Sequence, residues 1–251
     1  MARQFIYDSV GLSESTLDDG TASGTTFSDS SSVTNESRAI DMSIATTFTS
    51  FDTNDTLRFN VGSDNSSKTA NCIALYYTSA HGHDFKVYRG SSATAMGTEI
   101  LNKTDNLLEG WNIIDFTETS GQYWFLRSTT GTIDDITEVI IGTKYTFDVN
   151  PELNSKIGEE FNTDIIKSYT GREYANKRND PKTTWSFTFS NLLSSQKTTL
   201  EALNANVQDW KKFIYYDDTA YHYVRLVNPI EFTEVAPNVF SANVSLREQL
   251  V

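Results

Sequence analysis

The stretch Ser194–Asp218, "SSQKTTLEALNANVQDWKKFIYYDD", reads as a helix that empties into a strand. Leu200, Leu203, Val207 and Trp210 recur at intervals of three, four and three, so they share one helical stripe. Ser194 stands where an N-cap is expected. Asn204 and Asn206 weaken the C-terminal half, so a helix over about 194–210 is expected to end before Trp210. A lone helix of this length is marginal in water, and its stripe needs a surface to pack on. The flanking sequence supplies one. Before the helix, "WSFTFSNL" alternates, with Trp185, Phe187 and Phe189 on one face. After it, "KFIYY", "YHYVRLV", "IEFTEV" and "VFSANVSL" read as antiparallel strands joined by the turns "DDTA" and "APN".

Working outward, residues 37–136 read as short strands broken by turns every dozen or so residues, a pattern that predicts an all-β sandwich. "NCIALYYTS" is nearly all apolar and suits a central strand, and "DFKVYRG" alternates. "WNIIDF", "YWFLRS" and "ITEVIIGTKYTF" follow. Residues 1–36 contain few large apolar side chains and read as an N-terminal arm or loop. Residues 148–180 are polar, comparatively basic and without continuous apolar periodicity. Segments 8–36 and 148–180 are expected to be weakly self-supporting and to lie against other subunits. The domains expected are therefore 1–36, 37–136 and 137–251.

Composition excludes several functions. The chain has 251 residues, 38% hydrophobic and 12% aromatic, enough for a packed, strand-rich core. Its 33 acidic residues outweigh 20 basic ones, a net charge of -13, which opposes direct nucleic-acid recognition and adhesion to anionic membranes. No apolar run approaches the ~20 residues of a membrane span, and "MARQFIYDSV" lacks the apolar core of a signal peptide. The single cysteine, Cys72, sits in the apolar "CIALYY" and reads as a buried small hydrophobe.

Candidate chemistry is sparse. "HGHD" places His81 and His83 like a metal pair, but no further ligand stands at zinc spacing. Asp52, Asn54 and Asp55 offer oxygens to calcium, against which stands their ordinary use in a turn. Trp111, Tyr123 and Trp124 suit sugar stacking or a sandwich core. His222 lies in an alternating strand and reads as a surface or packing residue. No nucleophile elbow or phosphate loop is found. The expectation is no catalytic site, no cofactor and no metal.

From Gly171 onward the order "GRE", "WSFTFSNLLSSQKTTLEAL", "FIYYDD", "YHYVRL", "EFTEV" and "NVFSANVSLREQL" resembles the tail-structural modules of tailed bacteriophages. The resemblance covers roughly residues 137–251. It lacks a clear Gly-rich segment between the helix and "FIYY". It implies a tail-tube-like β-sandwich with one flanking α-helix, built into rings whose strands line a lumen. More loosely, the first half is similar to galactose-binding-like jelly rolls, in its "AID" opening and its "YWFLRS … ITEVIIG" ending. The fold class expected is thus mainly β: a jelly-roll-like sandwich, then a sandwich with a flanking helix. The function these resemblances imply is a non-catalytic virion protein forming a ring, six-fold or three-fold, in a phage tail (distal tail, tail tip or adaptor). It would assemble in the host cytoplasm beside other tail proteins. The alternative is a carbohydrate- or receptor-binding module meeting host surface glycans. Arg172, Glu173, Lys177 and Arg178 are the expected subunit-interface residues.

Overall fold

A computed structural model describes residues 3–10, 16–23, 26–28, 33–61, 67–79, 83–103, 107–133, 135–147, 155–161, 163–178 and 180–249. The chain is mainly β, with one α-helix among the described residues. It divides into an N-terminal unit, residues 6–144, and a C-terminal unit, residues 1–5 with 145–250.

The first strands are β1 (Gln4–Tyr7), β2 (Thr16–Ser23), β3 (Thr26–Ser28), β4 (Asp55–Asn60) and β5 (Lys68–Tyr77). Next come β6 (Phe85–Gly90), β7 (Thr98–Lys103), β8 (Gly110–Gly121), β9 (Tyr123–Ser128) and β10 (Ile136–Thr146). The N-terminal unit is a sandwich. One sheet runs β3–β2–β4–β9–β6–β7, and β10–β5–β8 are neighbours in the other. From β4 to β10 the chain changes sheet at every connection except the β6–β7 hairpin. Alternation follows from this: Leu57, Phe59, Val87, Trp124 and Leu126 face Ile73, Leu75, Tyr77, Val139 and Ile141 across one core. Gly142 on β10 is required by close approach, since a Cβ there would lie 1.9 Å from the Tyr7 carbonyl oxygen.

Residues 1–36, expected as an arm or loop, contribute three strands. β2 pairs with β4 from Thr16↔Asn60 to Thr21↔Asp55. The ladder uses backbone groups, which a polar sequence such as "TLDDGTAS" supplies as well as an apolar one.

The C-terminal unit holds β11 (Lys156–Glu160), β12 (Thr163–Lys167), β13 (Glu173–Lys177), β14 (Lys182–Leu193) and α1 (Ser194–Val207). It continues with β15 (Phe213–Tyr216), β16 (Tyr221–Leu226), β17 (Glu231–Ala236) and β18 (Val239–Glu248). Its antiparallel strands run β11–β14–β18–β16–β15, with β17 also on β18, while β12 and β13 pair only with each other among the described residues. One face of β14 carries Trp185, Phe187 and Phe189 into an aromatic core, where Phe187 stacks on Tyr215 at 5.7 Å and Phe147 on Phe189 at 4.8 Å. The β14–β18 register slips between Phe189 and Leu192, and this bulge keeps both residues buried although they are three apart.

Helix α1 packs against β14 and β18. Leu200, Leu203 and Val207 are buried as the stripe requires, and the helix ends before Trp210 as expected. Two local readings change. The cap position is Leu193 rather than Ser194, because β14 runs directly into the helix. Gln196 folds back instead, and its Oε1 accepts the Leu193 N–H at 2.8 Å. Trp210 leaves the stripe because Gln208 takes a positive φ of 51° and redirects the chain; the indole is 47% exposed.

Candidate functional site

The least self-contained element is the β12–β13 hairpin. Its turn is closed by the Gly171 N–H donating to the Ser168 carbonyl at 2.9 Å, with Gly171 at φ 80°. Ile165 faces Ala175 and Ile166 faces Tyr174, so each face of the hairpin presents an apolar side chain. None is covered: Ile165 is 60% exposed, Ile166 58% and Tyr174 54%. Of twelve exposed large apolar side chains among the described residues, six fall between positions 157 and 174, including Phe161 and Tyr169. This share is larger than single apolar residues scattered over a surface would give.

The four residues singled out as interface candidates lie together on this hairpin. Glu173 pairs with Lys167 at 2.8 Å, Arg178 with Asp164, and Lys177 with Asp180. These exposed pairs contribute little to stability, because solvent screens them. The Arg172 N–H donates to Ser168 Oγ at 3.1 Å in the turn. The sequence reading picked out the charges and missed the apolar residues between them. The signal was the pair of facing runs, "TDIIK" and "EYANK", around "SYTGR".

The strands β11, β14, β18 and β16 border an open cleft of about 880 Å³ with a mixed lining, in which Lys156, Thr184, Arg225 and Arg247 stand beside the exposed apolar Ile157 and Val227. Its arginines are engaged: Arg247 Nη2 donates to Glu160 at 2.7 Å, and Arg225 Nη1 to the Asp209 carbonyl at 3.2 Å.

His222 is half-buried over Trp185, ring centroids 4.7 Å apart. Its Nε2 lies 3.1 Å from Asp217 and its Nδ1 3.5 Å from Glu248. An imidazole with both nitrogens facing carboxylates has none left to activate a nucleophile. Partial burial raises the Asp217 pKa, but the Thr219 hydroxyl, the Ala220 and Thr219 N–H groups and His222 outweigh it and bring it down to about 2. The cluster ties the β15–β16 turn to the end of β18.

Asp55 accepts the Asp52 N–H at 3.0 Å, Asp52 takes the Thr132 hydroxyl, and Asn54 takes Arg127 Nη2 at 2.5 Å. These oxygens are used by the turn and its neighbours. His81 lies outside the described residues. Among the described residues no three or more His, Cys, Asp or Glu side chains are grouped to hold a metal ion. No helix among them is long and apolar enough to cross a membrane. Cys72 is buried, and burial is the main cause pushing its thiol up to about 12. Trp124 is core. Tyr123 and Trp111 are half-buried, and Trp111 packs edge-on against Tyr76, its β5 register partner, at 5.3 Å.

No protein-family model matches the chain, and no curated protein does. Among solved structures, a variant of chitosan-binding module 1 from a chitosanase/glucanase of Paenibacillus sp. IK-5 is similar at 20% identity. It covers 54% of this chain and 98% of its own, with a TM-score of 0.39. The family 32 carbohydrate-binding module of C. perfringens NanJ, solved with galactose, is similar at 13% identity, covering 57% of this chain and 99% of its own, TM-score 0.39. Truncated AlyQ, with its family 32 module and alginate lyase domains, is similar at 14% identity over 87% of this chain and 55% of its own, TM-score 0.39. Scores at this level establish neither a shared fold nor a shared ligand.

Proposed function

We propose that this chain is a non-catalytic structural protein that assembles with copies of itself through its C-terminal unit, and that the β12–β13 hairpin is the joint. The observation that carries this is a two-stranded hairpin with uncovered apolar side chains on both faces. Such a hairpin is marginal alone in water. Completing the burial of Ile165, Ile166 and Tyr174 against a neighbour would contribute about 1–2 kcal/mol each. In its finer form the assembly is a ring of six-fold or three-fold symmetry in a bacteriophage tail, formed in the host cytoplasm and carried in the virion beside other tail proteins. The order of strands and helix after Gly171, similar to tail-structural modules, supports this form.

Light scattering tests the proposal. The full chain is expected at a multiple of 28.1 kDa. The combined variant Ile165→Ser, Ile166→Ser, Tyr174→Ser is expected to be a monomer that melts at the temperature of the wild-type chain diluted to monomer. A wild-type chain that stays monomeric at high concentration overturns the reading. For the tail, the chain must be detected by mass spectrometry in purified tailed particles, and its absence from them rejects that form.

A second reading, carbohydrate binding by the N-terminal unit, is favoured by the half-buried Tyr76–Trp111 pair, in which one ring braces the other edge-on and leaves an aromatic face for a sugar. A glycan array followed by titration tests it. Tyr76→Ala and Trp111→Ala are each expected to weaken binding at least tenfold, and equal binding by the variants rejects the platform.

A further inference from the structure

Building on the self-assembly reading, we infer that β13 of one copy pairs along the free edge of β17 in the next copy, extending the β17–β18 ladder by one strand across the interface. Both edges are open: β17 pairs only with β18, and β13 only with β12, among the described residues. Their lengths match, with six residues in β17 and five in β13.

Charge selects the partner. The chain carries -13 overall, yet residues 163–180 place Lys167, Arg172, Lys177 and Arg178 against Asp164, Glu173 and Asp180, a small local excess of positive charge. A basic element on an acidic protein fits an acidic surface, and a second copy provides one. On β17 the exposed side chains include Glu231, Thr233, Glu234 and Val235. Charged residues on an open edge discourage indiscriminate pairing, but they admit a strand of opposite charge. The open edge at β11, also in the C-terminal unit, is the poorer acceptor. It begins at Lys156, contains Gly158, and its Glu160 is already held by Arg247. The giving and receiving edges differ, so each copy both donates a hairpin and accepts one. Such head-to-tail contacts close into rings when the rotation permits.

Cysteine cross-linking separates this pairing from others, because Cys72 is buried and does not compete. A chain carrying Ala175→Cys is mixed in turn with chains carrying a single cysteine in place of Glu231, Phe232, Thr233, Glu234, Val235 or Ala236, which samples every register of the pairing. Facing residues in an antiparallel pair lie within disulfide reach. At least one mixture is expected to give a disulfide-linked dimer that no single variant gives alone. Adding Glu231→Lys and Glu234→Lys to the β17 variant, or whichever of the two its cysteine leaves available, should abolish it. Adding Lys177→Glu and Arg178→Glu to the hairpin variant should restore it. If light scattering shows an assembly but Ala175→Cys cross-links to itself, or no mixture cross-links, the β13–β17 pairing is wrong while self-assembly stands. If the wild-type chain is a monomer, both are wrong.

Discussion

Replacing Leu203 by Ala tests whether α1 is an integral part of the C-terminal unit. Leu203 is 1% exposed and lies between buried Leu200 and Val207 on the face packed against β14 and β18. The change removes about three methylene equivalents, roughly 2.4 kcal/mol of transfer free energy at ~0.8 kcal/mol each. A cavity term adds to this, because β14 and β18 are held in register and cannot collapse fully into the space. The expected loss is about 3–4 kcal/mol. Trp210→Ala is the internal control. The indole is larger, but it is 47% exposed and beyond the helix, so its loss should stay near 1 kcal/mol. Urea titrations of both variants, followed by hydrogen exchange of the β14 amides, give the two values. A Leu203→Ala loss below about half a kcal/mol, or a Trp210→Ala loss equal to it, would refute the packing argument.

Asp217→Asn should destabilise the C-terminal unit by about 1–2 kcal/mol at pH 7. Its carboxyl is held down to about 2 in the folded chain, below the ordinary ~3.9, so its contribution is complete above pH ~4 and is lost as pH falls through 2. Melts at pH 7 and pH 3 should show the gap between wild type and variant narrowing; a gap that widens on acidification contradicts this. Gly142→Ala should destabilise the N-terminal unit by several kcal/mol, because the new Cβ meets the Tyr7 carbonyl at 1.9 Å and backbone must move. A melting temperature within a degree of wild type would count against that contact.

Periodicity made the central elements legible. Leu200, Leu203 and Val207 announced α1 by spacing alone, and Trp185, Phe187 and Phe189 announced β14, because both patterns report one buried face. What escaped had a local cause. Trp210 continues the helical spacing, yet the positive φ at Gln208 removes it from the helix. Leu192 breaks the alternation of β14 because a bulge precedes it. β2 is polar and announces itself by no apolar pattern, since backbone pairing with β4 places it. The hairpin escaped for the opposite reason. Its apolar residues face outward on both sides, so they follow no amphipathic period, and the segment read as merely polar and basic. Among the proposed sites, the charges of Arg172, Glu173, Lys177 and Arg178 were visible in the sequence. Their convergence on one exposed element became visible only with the β12–β13 register.

Amide hydrogen exchange measured across a dilution series tests most directly whether the hairpin is the joint between copies. At concentrations where the chain is assembled, residues 163–177 should exchange slowly. On dilution they should lose protection in step with the loss of assembly, while the buried strands β5 and β14 stay protected throughout. Exchange of the hairpin that is fast and independent of concentration, in a sample shown to be assembled, would place the joint elsewhere and contradict the account.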